Sequence, residues 1–116
     1  MRVSLPKMYV MTTADFDNLV ASEQLTLIDF YATWCGPCRA MHPTIERLAQ
    51  SMTDINVVRI DISDASHRDL VRRYNIVSVP TLLLFRESQM LWRESGVIPY
   101  DRLCNIVRQH QFVGSY

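Results

Sequence analysis

Residues 25–38 read LTLIDFYATWCGPC, and this stretch decides the fold. Its first eight residues are almost continuously apolar, as expected of a central β-strand that is covered on both faces. A short Trp-Cys-Gly-Pro-Cys segment follows, and apolar residues at helical spacing begin directly after it. A buried strand that passes into a helix in this way predicts an α/β domain with two cysteines at the strand-to-helix junction.

Strands and helices alternate on both sides of this junction. The periodicity predicts further strands at residues 8–11, 55–62, 81–85 and 90–93, and helices that begin near residues 12, 35, 66 and 99. This order predicts a central mixed sheet of about five strands, flanked by four helices on both faces. We expect residues 1–116 to form a single domain, with residues 1–7 as a short N-terminal extension.

The composition excludes several classes of protein. The chain has 116 residues, of which 48% are hydrophobic, and its twelve basic and twelve acidic side chains give a formal net charge of zero. A neutral chain argues against nucleic acid as a partner. The apolar stretches are far shorter than the roughly 20 residues of a membrane span. Three cysteines are too few for a disulfide-rich secreted scaffold, and the N-terminus lacks the apolar block of a signal peptide, so we expect a cytoplasmic protein.

Cys35 and Cys38, separated by Gly36 and Pro37, are the strongest chemical signal. Backbone N–H groups at a helix N-terminus favour a thiolate, so we expect Cys35 to be the more exposed nucleophile and Cys38 to be buried. Such a pair predicts attack by Cys35 on a substrate disulfide and resolution of the mixed disulfide by Cys38. The alternative is half of a zinc site with His42 as a third ligand. A closed zinc site needs four ligands and the sequence has no second such pair, so we expect no metal.

Asp29 lies within the apolar strand that leads to the cysteines. Burial of a carboxylate is costly and favours its protonated form. The position fits two interpretations equally well. Asp29 is either the proton acceptor for the Cys38 thiol or a buried acid paired with a structural partner, such as Arg59 or a backbone group.

Other chemically capable side chains fit ordinary structural roles. Cys104 lies on the inward face of the last helix and is expected to be an inert buried thiol. His42, His67 and His110 are scattered through the helical regions, and we expect them at the surface.

Taken together, these residues closely resemble the thioredoxin family. The resemblance rests on Trp34-Cys35-Gly36-Pro37-Cys38, on Asp29-Phe30 before it, and on Val79-Pro80-Thr81 and Gly96 after it, and it runs from about Met8 to Phe112. It implies a thioredoxin fold and a protein-disulfide reductase that cycles through a Cys35-Cys38 disulfide. It also implies a monomer that acts on disulfide-containing proteins, is re-reduced by thioredoxin reductase with NADPH, and has no tightly bound cofactor.

The resemblance also implies a role for individual residues. Cys35 would attack, Cys38 would resolve, and Asp29 would move protons for Cys38, with Arg59 at the position where the family usually has lysine. Pro80 would be a cis proline beside the disulfide, and the backbone of Val79 would bind an extended substrate. The remaining residues would line a shallow apolar contact surface: Trp34, Gly36, Pro37, Gly96 and Val97.

Two alternatives remain open at this point. One is a disulfide oxidase or isomerase of the same fold, and the other is a non-catalytic binding module. The chain departs from the family pattern at Tyr31, at Asn75, which replaces a glycine at a helix end, and at Glu87-Ser88-Gln89, which lacks the usual turn glycine. We expect the last departure to change the type of the hairpin turn.

Overall fold

A computed structural model describes residues 11–111 of the chain. The helices are α1 (Thr13–Val20), α2 (Gly36–Ser51), α3 (Arg68–Arg73) and α4 (Tyr100–Gln111), and a short 3-10 turn at Ala65–His67 precedes α3. The strands are β1 (Thr26–Tyr31), β2 (Asn56–Asp61), β3 (Thr81–Arg86) and β4 (Gln89–Ser95). The strand predicted at residues 8–11 falls mainly on residues outside the described part, as does the extension predicted at residues 1–7.

The strands form one mixed sheet in the order β2-β1-β3-β4. β1 is parallel to β2 and antiparallel to β3, and β3 pairs with β4 through a tight hairpin. The thioredoxin fold and the mixed sheet are confirmed, with four strands in the described residues where the sequence predicts about five. β1 is buried along its whole length because it has a strand on each side and helices over both faces.

Helices cover the two faces of the sheet in pairs, and each pair closes its own hydrophobic core. One core joins α2 and α4 to the β1 residue Leu27, and the other joins α1 and α3 to Ile28 and Phe30. Side chains alternate between the faces of a strand, so Asp29 faces the same side as Leu27, beneath α2. The alternation therefore directs the one acidic side chain of β1 toward the helix that begins at the cysteines.

Three residues other than glycine, within residues 11–111, adopt the left-handed backbone conformation. Asn75 ends α3 with φ 50°, as its tolerance of this conformation predicts. Glu87 and Ser88 form the two-residue hairpin loop between β3 and β4, with φ values of 51° and 69°. Two consecutive positive φ values are the requirement of a type I′ turn, which matches the right-handed twist of the strands. The hairpin thus keeps a favourable turn without the glycine that usually supplies it.

The predicted surface position of the histidines is wrong for His67, which is buried. One nitrogen of its ring, Nδ1, lies 2.7 Å from the Asp61 carbonyl oxygen, and Nε2 accepts a hydrogen bond of 3.0 Å from the Met11 backbone N–H. Both bonds form with a neutral ring, so burial does not require a charge to be desolvated. Residue spacing alone does not indicate these two backbone partners.

Cys104 is buried as expected and is not part of a disulfide. No helix within residues 11–111 is long and apolar enough to cross a membrane.

Candidate active site

A disulfide joins Cys35 and Cys38 at the N-terminus of α2, with the two Cα atoms 5.2 Å apart. Cys35 is the N-cap residue, and its sulfur accepts a hydrogen bond of 3.1 Å from the Cys38 backbone N–H. Pro37 fits the first turn because the backbone N–H that it lacks has no partner within the helix at that position. The local sequence therefore places both sulfurs at the positive end of a 16-residue helix.

The order of exposure of the two cysteines is as expected, and both are largely covered. Cys35 is the more exposed, but only 5% of its surface is accessible, against 1% for Cys38. Cys35 and Cys38 pack with Tyr31 and Ala32, and the half-buried Ile62 and Val79 close over them. A substrate sulfur must therefore approach Cys35 along a restricted path.

That path is an apolar groove of about 450 Å³ beside Cys35. Trp34, which is 68% exposed, forms one wall, and Val77, which is 83% exposed, lies on the opposite loop. Of the residues expected at the contact surface, those that line the groove are Trp34, Gly36, Pro37 and Val79. The groove also contains Ile62, Ile76, Val77 and Ser78, which were not anticipated. Val77 could have been noticed in the sequence, because it is an apolar residue just before Val79-Pro80 that belongs to no helical or strand pattern.

The loop at Val79-Pro80 faces the disulfide. The Val79–Pro80 peptide bond is cis, as the resemblance implies, and the Val79 carbonyl oxygen lies 3.7 Å from the Cys35 sulfur. The Pro80 carbonyl oxygen accepts a hydrogen bond of 2.9 Å from Gly96 N–H, and Gly96 has a φ of 100° that favours glycine. Gly96 and the exposed Val97 therefore lie beside Pro80 but do not line the groove.

Asp29 and Arg59 form a buried ion pair on the neighbouring strands β1 and β2. They are register partners, and Arg59 Nε donates a hydrogen bond of 2.9 Å to Asp29 Oδ2. Burial raises the pKa of Asp29, while the adjacent Arg59 guanidinium acts in the opposite direction and offsets part of this rise. Asp29 Oδ1 has no hydrogen-bond partner among the described residues. The expected structural partner, Arg59, is therefore present, and it bonds to only one of the two carboxylate oxygens.

A second cleft, of about 310 Å³, opens on the Cys38 side of the disulfide. Cys38 and Arg59 both line it, whereas Asp29 lies behind Arg59 and does not. His42 lines the same cleft one helical turn after Cys38, and sequence reasoning did not include it in the site. Its signal was the four-residue spacing from Cys38, which puts the two side chains on one face of α2.

The described residues offer no ligand set for the zinc alternative. Within residues 11–111, no group of three or more His, Cys, Asp and Glu side chains is arranged to hold a metal ion. His42, the third ligand of the zinc alternative, instead hydrogen-bonds to Arg59.

A disulfide at a helix start, beside an apolar groove and a cis proline, with a buried acid on the strand that leads to it, defines a thiol–disulfide oxidoreductase. Comparisons with known proteins agree. The thioredoxin family model matches residues 7–109, and the chain therefore belongs to the thioredoxin family. In keeping with this family, it is a protein-disulfide reductase.

Individual relatives match three quarters or more of the chain. The thioredoxin of Chlamydia trachomatis is 36% identical over 102 residues, which are 88% of this chain and 97% of that protein. Thioredoxin-1 of Saccharomyces cerevisiae is 32% identical over 76% of this chain and 84% of its own length. Among solved structures, a mutant thioredoxin from Halobacterium salinarum superposes with a TM-score of 0.79 at 31% identity, covering 88% of each chain. Spinach chloroplast thioredoxin f gives 0.80 at 26% identity, covering 96% of this chain and 99% of its own.

Proposed function

We propose that this chain reduces disulfides of other proteins through Cys35 as the nucleophile and Cys38 as the resolving thiol. In the reduced protein, the Cys35 thiolate attacks one sulfur of the substrate disulfide, and the other substrate sulfur leaves as a thiolate that takes up a proton. The Cys38 thiol then loses its proton and attacks the Cys35 sulfur. The Cys35–Cys38 disulfide forms, the second substrate thiol is released, and two electrons have passed to the substrate. The disulfide at the start of α2 is the observation that carries this proposal.

Asp29 is the proton acceptor for Cys38 in this scheme. Its side chain faces α2, its Oδ1 has no hydrogen-bond partner among residues 11–111, and burial raises its pKa. A raised pKa makes the carboxylate a better base for a thiol near neutral pH. Arg59 limits that rise, which keeps Asp29 able to ionise and to return its proton.

The groove beside Cys35 receives the substrate chain. Trp34 and Val77 offer apolar surface to varied sequences, and the backbone of Val79 is free to pair with an extended segment next to the scissile disulfide. Pro80 and Gly96 fix the loop that carries Val79, and Val97 extends the apolar rim. Gly36 and Pro37 keep the first turn of α2 free of bulky side chains on that side.

Regeneration belongs to a thioredoxin reductase that draws on NADPH, and the chain itself holds no tightly bound cofactor. We place the protein in the cytoplasm, where reducing conditions favour the dithiol, and we propose that it acts as a monomer. Its substrates are disulfide-containing proteins.

A reductase-coupled insulin reduction assay, combined with a redox titration of the same sample, tests the proposal. Cys35→Ser and Cys38→Ser are each expected to abolish catalytic turnover, whereas Cys104→Ala, which removes a buried thiol outside the site, retains it. The reduction potential against a glutathione buffer is expected near the reducing end of the fold, about −270 mV. Turnover in the double Cys35→Ser/Cys38→Ser variant, or a potential near about −120 mV, would refute a reductase.

A further inference from the structure

On the Cys38 side of the disulfide, a series of hydrogen-bonded side chains extends outward from Asp29 and Arg59, and the reaction above does not use its outer members. Arg59 is almost completely buried, with 5% of its side chain exposed. A buried guanidinium needs acceptors for its N–H groups, since unpaired donors and an unpaired charge are costly. Among the described residues, the acceptors that Arg59 finds are Asp29 Oδ2, through Nε, and His42 Nδ1, which lies 2.5 Å from Nη1. Its planar group also stacks on the Tyr31 ring, 4.0 Å from the ring centroid.

The geometry defines the tautomer of His42. Arginine only donates, so His42 Nδ1 must accept, and the ring proton must lie on Nε2. Nε2 is directed at Glu46, one helical turn further along α2, with 3.3 Å between Nε2 and Oε1. Glu46 thus favours the tautomer that Arg59 requires, and three side chains lead from the protein surface to the buried Asp29.

We propose that His42 is a positioning residue for the resolving step, because it holds Arg59 against Asp29. The proposal rests on the function given above, and it concerns the proton acceptor of Cys38. With a neutral His42 in place, Nη1 is satisfied and Nε remains on the carboxylate. Without that acceptor, we expect the Arg59 guanidinium to turn toward the cleft that it already lines. Asp29 then loses the charged partner that limits the rise of its pKa.

The test compares three variants. His42→Ala removes the acceptor. His42→Asn keeps an acceptor, because Oδ1 of asparagine occupies nearly the same place as Nδ1 of histidine, but this acceptor does not titrate in the relevant range. His110→Ala is the matched control, since His110 is also a helical histidine but is bonded to the Ile106 carbonyl oxygen, away from the cleft. Denaturant unfolding of each variant establishes that it is folded.

Two readouts separate a positioning role from a merely structural one. The first is the titration of the Asp29 carboxyl carbon by NMR. The second is the rate of thionitrobenzoate release from a Cys35 mixed disulfide as a function of pH, in which the Cys38 thiolate attacks Cys35 and thionitrobenzoate leaves as a thiolate. We expect His42→Ala to raise the Asp29 midpoint and to slow release about fivefold at pH 7, equivalent to the loss of one hydrogen bond. His42→Asn restores the rate, while His110→Ala matches the wild type.

A folded His42→Ala variant in which the Asp29 midpoint is unchanged overturns the proposal. So does a His42→Asn variant that behaves like His42→Ala, because the acceptor would then not matter. Asp29→Asn separates this failure from failure of the proposed function. If Asp29→Asn leaves the rate and its pH dependence unchanged, Asp29 is not the proton acceptor for Cys38, whatever His42 does to its titration.

Discussion

Asp29→Asn is expected to stabilise the folded protein at neutral and alkaline pH while slowing the reaction. The side chain of Asp29 is completely buried beneath α2, and burial raises its pKa despite the Arg59 partner. Asparagine has the same shape and keeps an oxygen that accepts from Arg59 Nε. The substitution therefore removes the cost of burying the carboxylate charge without opening a cavity, while the Arg59 guanidinium loses its counter-charge.

The size of the effect follows from two opposing contributions. Removing a carboxylate from water costs several kcal/mol even after the protein relaxes. The Arg59 hydrogen bond of 2.9 Å offsets this by about 6 kcal/mol at an effective dielectric constant of about 20. Because the pKa of Asp29 is raised, desolvation is the larger of the two contributions. We expect Asp29→Asn to be more stable than the wild type at pH 8, with a higher melting temperature, by less than the several kcal/mol that desolvation of the carboxylate costs.

The sign of the pH dependence is the sharper prediction. An acid whose pKa is higher in the folded state than in the unfolded state binds more protons when folded, so stability falls as pH rises between the two pKa values. Below the unfolded value, both states hold the proton, and wild type and Asp29→Asn should differ little. The difference then grows by at most about 1.4 kcal/mol per pH unit and is constant above the folded value.

Guanidinium unfolding of the oxidised proteins from pH 4 to pH 9 measures this difference directly. A stability gain that does not change with pH contradicts the reasoning. So does an Asp29→Asn variant that is less stable than wild type at pH 8, since the ion pair with Arg59 would then outweigh burial and the pKa of Asp29 would be lowered.

Three further substitutions test other parts of the structure. Trp34→Ala is expected to lower kcat/KM for insulin reduction about tenfold, since aromatic residues contribute much of the binding energy at contact surfaces. Because Trp34 is 68% exposed, the unfolding free energy should change by less than about 0.5 kcal/mol. A large loss of stability would show instead that Trp34 supports the fold. Ser88→Gly should stabilise the protein by ~0.5 kcal/mol in denaturant unfolding, because Ser88 has a φ of 69°, and a destabilised variant would contradict the type I′ assignment. Cys104→Ala should cost about 1 kcal/mol through lost packing, with insulin reduction unchanged; slower turnover would give Cys104 a role beyond the core.

The sequence predicted the fold well because its signals were local and strong. The apolar run of β1, the hydroxyl cap of α1 and the spacing of the α2 core residues each depend on neighbours within a few positions. The Thr12 hydroxyl caps α1 by accepting a hydrogen bond from the Asp15 N–H, three residues away, and Ile45, Leu48 and Ala49 are buried on one face of α2. The first strand and the N-terminal extension remain predictions, because they fall largely on residues that the structure does not describe.

The site was predicted in part, and the misses share a cause. The two cysteines and the acid on β1 were identified from spacing and from the cost of a buried charge. His67 was expected at the surface because a sequence does not show which distant backbone groups will satisfy a ring. Val77 and His42 were missed for the same reason, since one faces Trp34 and the other faces Arg59 only after the sheet and α2 have packed.

By itself, the sequence determined an α/β domain with a redox-capable cysteine pair at the start of a helix. Local backbone preferences and the periodicity of burial are written into consecutive residues, so these features do not depend on distant contacts. Only the tertiary structure decided how the surroundings of that pair are arranged. It covered most of Cys35, brought the Val79 carbonyl to its sulfur, and joined Asp29, Arg59 and His42 from three different elements. Those contacts depend on strand register and helix packing, which no short stretch of sequence contains.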